Sequence, residues 1–329
     1  MPYQIAIAGS THYTVQMAQA LANDSRFELA FTLSPEPKTI GRQQILTKNP
    51  LHQWSLEKNL AHLLVEKKID DNLHQKIKTL NKKIDFLLVV DFGYLVPQWL
   101  LDLPQIAPLN IHPSLLPKWR GSSPGQFALL MQNLMENGQK SAVTLMVMNA
   151  GLDQGPIISQ LPFTIDSAWT QTEYYQTAFN LIAAQLGDLV SSFAEGKIKS
   201  QAQPLESPTL IARRLNKEDS FIAWQDLQIL MDIKAEKIKA QTNCFGLLYD
   251  LLSNPEICPT RLAQIKLVTN ASHAFNPWPM LWTIVQTSKG EKRMKILASQ
   301  GQGEQLLLTK VQIEGKNPCS FNECKNSIL

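Results

Sequence analysis

Along the first half of the chain, short apolar runs alternate with amphipathic stretches. Strand-like runs occupy Tyr3–Ala8, Phe27–Leu33, Ile84–Val90, Pro108–Ile111 and Ala142–Met148, with helical patterns between them at Thr14–Ala22, Ser55–Lys67, Asp71–Leu80 and Gly125–Glu136. That alternation predicts an α/β domain built on a parallel sheet. Before the Gly125 helix, Ser123-Pro124 offers an N-cap followed by proline at the first helical position. A longer helix is predicted from Gln171 to Phe193. Thr170 and Glu173 form a capping-box pattern at its start, and Tyr175, Phe179, Ile182, Leu186, Leu189 and Phe193 recur at helical spacing as a core stripe.

The texture then changes. From Glu195 to Pro208 the chain is polar and carries two prolines, which reads as a linker. Beyond it lie Ile211–Leu215, a mixed helical region, and strand-like runs at Met280–Gln286, Lys292–Ala298 and Gln305–Ile313. Short strands with polar turns predict a small β-barrel or meander. The expected organisation is an α/β domain over residues 1–200, a linker over 201–212 and a smaller β domain over 213–329.

Composition narrows the class without fixing it. Of the 329 residues, 44% are hydrophobic and 18% charged, which is ordinary for a soluble protein. No apolar run approaches the ~20 residues of a membrane span, and the start MPYQIAIAGS lacks a basic n-region and a cleavage site. The expectation is a cytoplasmic protein with no membrane partner. Cys244, Cys258, Cys319 and Cys324 fit no common zinc or redox spacing and read as reduced structural thiols. The net charge of +3 is unevenly placed: residues 206–329 hold 15 Lys+Arg against 12 Asp+Glu, whereas residues 1–205 balance at 16 each. An excess confined to the C-terminal part is compatible with a polyanionic partner.

The Ala8-Gly9-Ser10 turn is not a nucleotide loop, because neither G-x-G-x-x-G nor G-x-x-x-x-G-K-[ST] occurs anywhere. A doubly wound sheet without that loop uses another site near its strand ends. Leu109-Asn110-Ile111-His112-Pro113-Ser114-Leu115-Leu116-Pro117 is the candidate. Asn110 and His112 stand at i, i+2 and leave the strand on one face. Pro113 and Pro117 bar its continuation. A side-chain amide and an imidazole side by side can donate to one oxygen, the arrangement that stabilises an oxyanion. The second element is Asn149-Ala150-Gly151-Leu152-Asp153-Gln154-Gly155, whose two glycines allow a tight loop that brings Asp153 inward. A carboxylate beside His112 fixes its tautomer and can pass a proton. No His/carboxylate cluster has metal spacing, so no metal is expected. His62 and His74 sit in helical patterns and are expected to be solvated.

These residues carry a resemblance. Asn110-Ile-His-Pro-Ser-Leu-Leu-Pro-Lys-Trp-Arg-Gly-Ser-Ser-Pro124, with Gly151-Leu-Asp-Gln-Gly155 downstream, resembles the folate-dependent formyltransferase family. The resemblance implies a Rossmann-like domain that uses 10-formyltetrahydrofolate as co-substrate, with Asn110, His112 and Asp153 as the catalytic trio. It further implies a tetrahydrofolate site lined by Ser114, Leu115, Leu116 and Pro117. Three more stretches look like the methionyl-tRNA branch of that family. Asp91-Phe92-Gly93-Tyr94-Leu-Val-Pro97 stands where the branch carries a folate-contacting loop, which brings Phe92, Gly93 and Tyr94 to that site. Arg213-Arg-Leu-Asn-Lys-Glu-Asp219 with Trp224, and Ala274-Phe-Asn-Pro-Trp-Pro-Met280, resemble its C-terminal domain.

The implied protein is a monomer with an OB-like C-terminal barrel. It formylates initiator Met-tRNA, and Arg42 in the Ser34–Pro50 loop reaches the tRNA. The alternative within the family is a sugar-amine N-formyltransferase with the same trio. The chain departs from the branch in three places. Gln-Gln-Ile follows Arg42 where basic residues are usual, and Asn149 replaces an Asp. Fifty residues, 225–274, separate Trp224 from Phe275, where about a dozen are expected. They read as an insertion near 225–270, and its run Leu227–Ala240 carries Lys234, Lys237 and Lys239.

Overall fold

The apolar runs of the first half become neighbouring strands. A computed structural model describes residues 1–329 apart from 41–42, 233–237, 239–245 and 329, and of Ile40 the backbone alone. The chain forms two units. One comprises Met1–Ser122, Ala142–Pro162 and Thr177–Ile211; the other comprises Ser123–Ser141, Phe163–Gln176 and Ala212–Leu329. Among the described residues no helix is long and apolar enough to cross a membrane.

The strands of the first unit are β1 (Tyr3–Gly9), β2 (Phe27–Pro35), the arms β3 (Lys38–Ile40) and β4 (Ile45–Thr47) of a small hairpin, β5 (His62–Val65), β6 (Phe86–Val90), β7 (Ala107–His112), β8 (Lys140–Val147) and β9 (Ile157–Thr164). Seven of them make one sheet in the order β5-β2-β1-β6-β7-β8-β9. Pairing is parallel from β5 to β7 and antiparallel between β7 and β8. The five residues of β6 are all buried, as are Ile5, Ala6, Ile7 and Ala8 of β1. Helices on both faces explain why these strands read as continuous apolar runs.

Three expectations are corrected here. The helical pattern at Ser55–Lys67 divides. A helix Pro50–Glu57 stops where Asn59 takes φ 54°, a left-handed helix terminus, and His62–Val65 then pairs with β2. His62 is accordingly a strand residue bonded to Thr32 and Ser34 rather than a solvated helical one. The long helix breaks into Gln171–Ala183 and Leu186–Ala194. The break seats Arg26, which reaches Asp188 at 2.8 Å and Ser191 at 3.0 Å. Third, β9 has no counterpart among the expected strands because Pro162 interrupts its pattern. As the edge strand of the sheet it tolerates a residue with no N–H to donate.

The second unit has strands β10 (Trp282–Thr287), β11 (Gly290–Gln302), β12 (Gln305–Ile313) and β13 (Cys319–Ser320), joined as an antiparallel meander in that order. This is the small β domain that the sequence predicts. Residues 225–274 contribute helices Trp224–Met231, Leu247–Ser253 and Arg261–Ala274. The last of these buries Ile265, Leu267, Val268, Ala271 and Ala274, and Asn270 donates to the Leu130 carbonyl at 2.8 Å. It is therefore a core element of its unit. Arg42, Lys234, Lys237, Lys239 and Cys244 lie outside the described residues.

Candidate active site

The β7 strand delivers Asn110 and His112 on one face, opposite Met146 and Thr144 of β8. Pro113 ends the strand, and the turn closes with the Ser114 N–H donating to the His112 carbonyl at 2.9 Å. Two side chains from β8 and β9 brace that turn. The Thr144 hydroxyl donates to the Ser114 carbonyl at 2.6 Å, and Gln160 Nε2 donates to the Leu116 carbonyl at 2.9 Å. Ser114 Oγ is spent on the Lys118 carbonyl, and the Ser114 and Leu116 side chains are buried; Leu115 and Pro117 are half-buried.

The chain next enters an unusual backbone run. Trp119, a buried non-glycine residue, takes φ 61°, and Gly121 takes φ 122°. This run presents two backbone groups to the site. His112 Nε2 lies 3.0 Å from the Trp119 carbonyl oxygen. A carbonyl can only accept, so Nε2 carries the proton and Nδ1 of the neutral ring is a lone pair. The Gly121 N–H donates to Asp153 Oδ2 at 2.7 Å, and the same oxygen stands 3.7 Å from His112 Nδ1. The His112 and Asp153 side chains are 6% and 16% exposed, so the pair is largely withdrawn from bulk water. Among the described residues Asp153 Oδ1 and the Asn110 amide have no hydrogen-bond partner, which leaves both for a reactant.

Asp153 arrives by a less direct route than the sequence suggests. Because β8 runs antiparallel to β7, its following loop starts beside Leu109 rather than beside His112. The loop must fold back, and Asp153 turns it at φ 50°. Gly155 is required there, since a Cβ would lie 1.8 Å from the Val147 carbonyl oxygen. Asn149 serves the same turn, its Oδ1 accepting from the Gly151 N–H at 3.0 Å.

The loop after β6 holds Phe92 and Tyr94 half-buried, ring centroids 5.2 Å apart, with Gly93 exposed between them. Burial raises the Tyr94 hydroxyl pKa. Leu95 beside them is 92% exposed and Leu152 beside Asp153 is 52% exposed, so apolar surface is left open on both loops. The sequence reading names the trio but misses the backbone groups that meet it, the Trp119 carbonyl and the Gly121 N–H. Trp119 and Gly121 lie inside the recognised motif, which is the one signal that could have found them.

The family described as formyl transferase matches this chain over residues 3–182. The methionyl-tRNA formyltransferase of Pseudomonas fluorescens (strain Pf0-1) is 26% identical, over 99% of this chain and 93% of its own length. That of Sulfurovum sp. (strain NBC37-1) is 29% identical, over 70% of this chain and 72% of its own. Among solved structures, the N-formyltransferase from Helicobacter canadensis, in complex with folinic acid and dTDP-3-aminofucose, matches with a TM-score of 0.55 at 16% identity. The match covers 91% of this chain and 87% of that one and is a likeness of fold.

Proposed function

The chain belongs to the formyl transferase family, and from that premise we propose that it transfers the formyl group of 10-formyltetrahydrofolate to the free amino group of methionyl-initiator-tRNA in the cytoplasm, for translation initiation. The observation that carries the chemistry is the pairing of an uncommitted Asn110 amide with a His112 whose Nε2 is already occupied by Trp119. The amine attacks the formyl carbon, and Asn110 donates to the oxygen as it becomes an oxyanion. Nδ1 is the ring atom left for the reaction; once protonated it donates to the oxyanion and is held by Asp153. Asp153 Oδ1 takes the proton released by the attacking amine. Collapse of the tetrahedral intermediate then expels the tetrahydrofolate nitrogen, which takes up the proton that Asp153 received from the amine, and the carboxylate is restored.

Ser114, Leu115, Leu116 and Pro117 form one wall of the co-substrate site, with the half-buried Leu115 and Pro117 offering side chains. Phe92, Gly93 and Tyr94 form another. The tRNA reading is supported by full-length similarity to methionyl-tRNA formyltransferases and by the chemistry of the second unit. There a cavity of about 230 Å³ is lined by Lys217, Arg293 and Lys295 together with Trp278 and Trp282, and no acidic residue lines it. The Arg293 guanidinium lies 4.2 Å over the Trp282 ring, and Trp278 is 46% exposed. Cations beside exposed aromatic rings suit phosphates and unstacked bases. In this reading residues 213–329 hold the tRNA, Arg42 assists, and the protein acts as a monomer. The deciding experiment offers the purified protein 10-formyltetrahydrofolate with either methionyl-initiator-tRNA or nucleotide-linked amino sugars. Formylation of the tRNA is expected; formylation of the sugars alone would overturn the assignment.

A further inference from the structure

Arg120 is 1% exposed and heads the largest fully buried side chains of the protein. A buried guanidinium normally faces a carboxylate, because an uncompensated charge is costly away from water. This one faces neutral oxygens. Its Nη1 donates to the Leu205 carbonyl at 2.9 Å, Nη2 donates to the Pro204 carbonyl at 2.7 Å, and Nε and Nη2 straddle Gln203 Oε1 at 3.3 and 3.0 Å. Burial pushes the Arg120 pKa down, and the charge of Asp153 opposes that shift.

Gln203 continues the chain of bonds. Its Nε2 donates to the Asp153 carbonyl at 2.9 Å and to the Gly155 carbonyl at 2.7 Å. Both donors and the acceptor of the amide are thus spent. Arg120 fixes the sense of the amide, because a flipped amide would turn its NH₂ toward a cation and its oxygen toward two carbonyls. The two carbonyls that Gln203 holds belong to Asp153, whose φ is left-handed, and to Gly155 two residues later. Arg120 also lies between Trp119, whose carbonyl fixes His112, and Gly121, whose N–H holds the Asp153 carboxylate. One buried side chain therefore anchors the segment 119–121 and, through Gln203, the loop it faces.

We propose that Arg120 and Gln203 are positioning residues for the formyl transfer, holding the Asp153 carboxylate at Nδ1 of His112. The proposal rests on the reading of Asp153 as a reacting group. Lysine cannot replace Arg120, since a single ammonium has no planar fork to meet Gln203 and two carbonyls at once.

The test measures formylation by the full-length protein carrying Gln203→Glu, Arg120→Lys, Asp153→Asn or the pair Gln203→Glu/Asp153→Asn. Gln203→Glu keeps an acceptor for Arg120 and removes both donors to the loop, so it isolates the relay even if Arg120→Lys fails to fold. Misplacement of a reacting group by about 1 Å lowers turnover on the order of 100-fold. The expected result is therefore a kcat loss of about 10- to 100-fold for Gln203→Glu, with KM for both substrates little changed. In the Asp153→Asn background Gln203→Glu is expected to add nothing, because its effect passes through a carboxylate no longer present. Unchanged kcat in Gln203→Glu, or a loss that simply multiplies with that of Asp153→Asn, overturns the positioning role and leaves the catalytic reading standing. Near-normal turnover in Asp153→Asn alone overturns both.

Discussion

Trp119 presents its carbonyl to His112 from a backbone conformation that costs a non-glycine residue about 1–2 kcal/mol, at φ 61°. That strain is offset by burial of the indole and by a 2.8 Å hydrogen bond from the Trp119 N–H to Thr209 Oγ1. The result is a ring of defined tautomer, with Nε2 closed and Nδ1 turned toward Asp153. Two residue-scale predictions follow from this division of labour. Asp153→Asn keeps an oxygen for the Gly121 N–H but has no carboxylate to take the proton of the amine. Its kcat should fall by about 10²- to 10⁴-fold with the fold intact, as read by steady-state formylation and circular dichroism. Retention of near-normal turnover would sink the mechanism. Asn110→Ala removes an uncommitted side-chain donor two residues from His112 on the same strand face, and loss of such a donor lowers kcat by about 10²- to 10³-fold. If the variant instead raised KM for the folate at constant kcat, Asn110 would be a binding residue and the oxyanion would need another donor.

At the scale of elements, β5 shows what a sheet edge can store. His62 is bonded to Thr32 and Ser34 on β2 and stacks on His52, ring centroids 4.6 Å apart. Burial, then the neighbouring His52 and its charge, push the His62 pKa down to about 4. The folded pKa lies below the unfolded one near 6.5, so the unfolded chain binds the extra proton first. Stability is therefore complete above about pH 6.5 and is lost as pH falls toward 4. Allowing for the partial exposure of the ring, the loss is about 1–2 kcal/mol. Urea unfolding of the wild type and of His62→Gln at pH 7 and pH 4.5 checks this: the variant should lose less stability between the two, and equal losses would contradict it. This strand is also where sequence reading failed, since Ser55–Lys67 carries a helical pattern through a helix that Asn59 stops. Strands β1, β2, β6 and β7 are legible because their burial writes them as apolar runs. The direction of β8 is not legible, because an apolar run has no polarity, so the folding-back of the Asp153 loop was hidden with it. The candidate trio Asn110, His112 and Asp153 is legible because an amide, an imidazole and a carboxylate are distinctive side chains. Their supports are not, because a carbonyl at Trp119 and an N–H at Gly121 are backbone atoms whose roles depend on conformation, and Gln203 reads as one more polar residue in a linker.

At the scale of the whole molecule, charge separates the acceptors that one catalytic site could serve. The net charge of +3 comes entirely from residues 206–329, and Lys217, Arg293 and Lys295 gather round Trp278 and Trp282 with no carboxylate in the lining. None of these three cations forms a salt bridge among the described residues, so their mutual repulsion is not relieved from within. A nucleotide-linked sugar carries two phosphate groups, whereas a tRNA offers a continuous run of phosphates that displaces a counterion for each one neutralised. The dependence of affinity on salt therefore reports which partner this surface meets. For the double substitution Arg293→Glu/Lys295→Glu, the slope of log affinity for methionyl-tRNA against log salt should become shallower by about 2, near the −0.9 per phosphate contact of double-stranded nucleic acid. KM for the tRNA should rise at moderate salt while kcat at saturation holds, because neither residue belongs to the formyl-transfer chemistry. Filter binding across a salt series with parallel formylation assays measures both. An unchanged slope would remove this surface from tRNA recognition, and an unchanged slope together with formylation of amino sugars would move the protein to the sugar-modifying branch of its family.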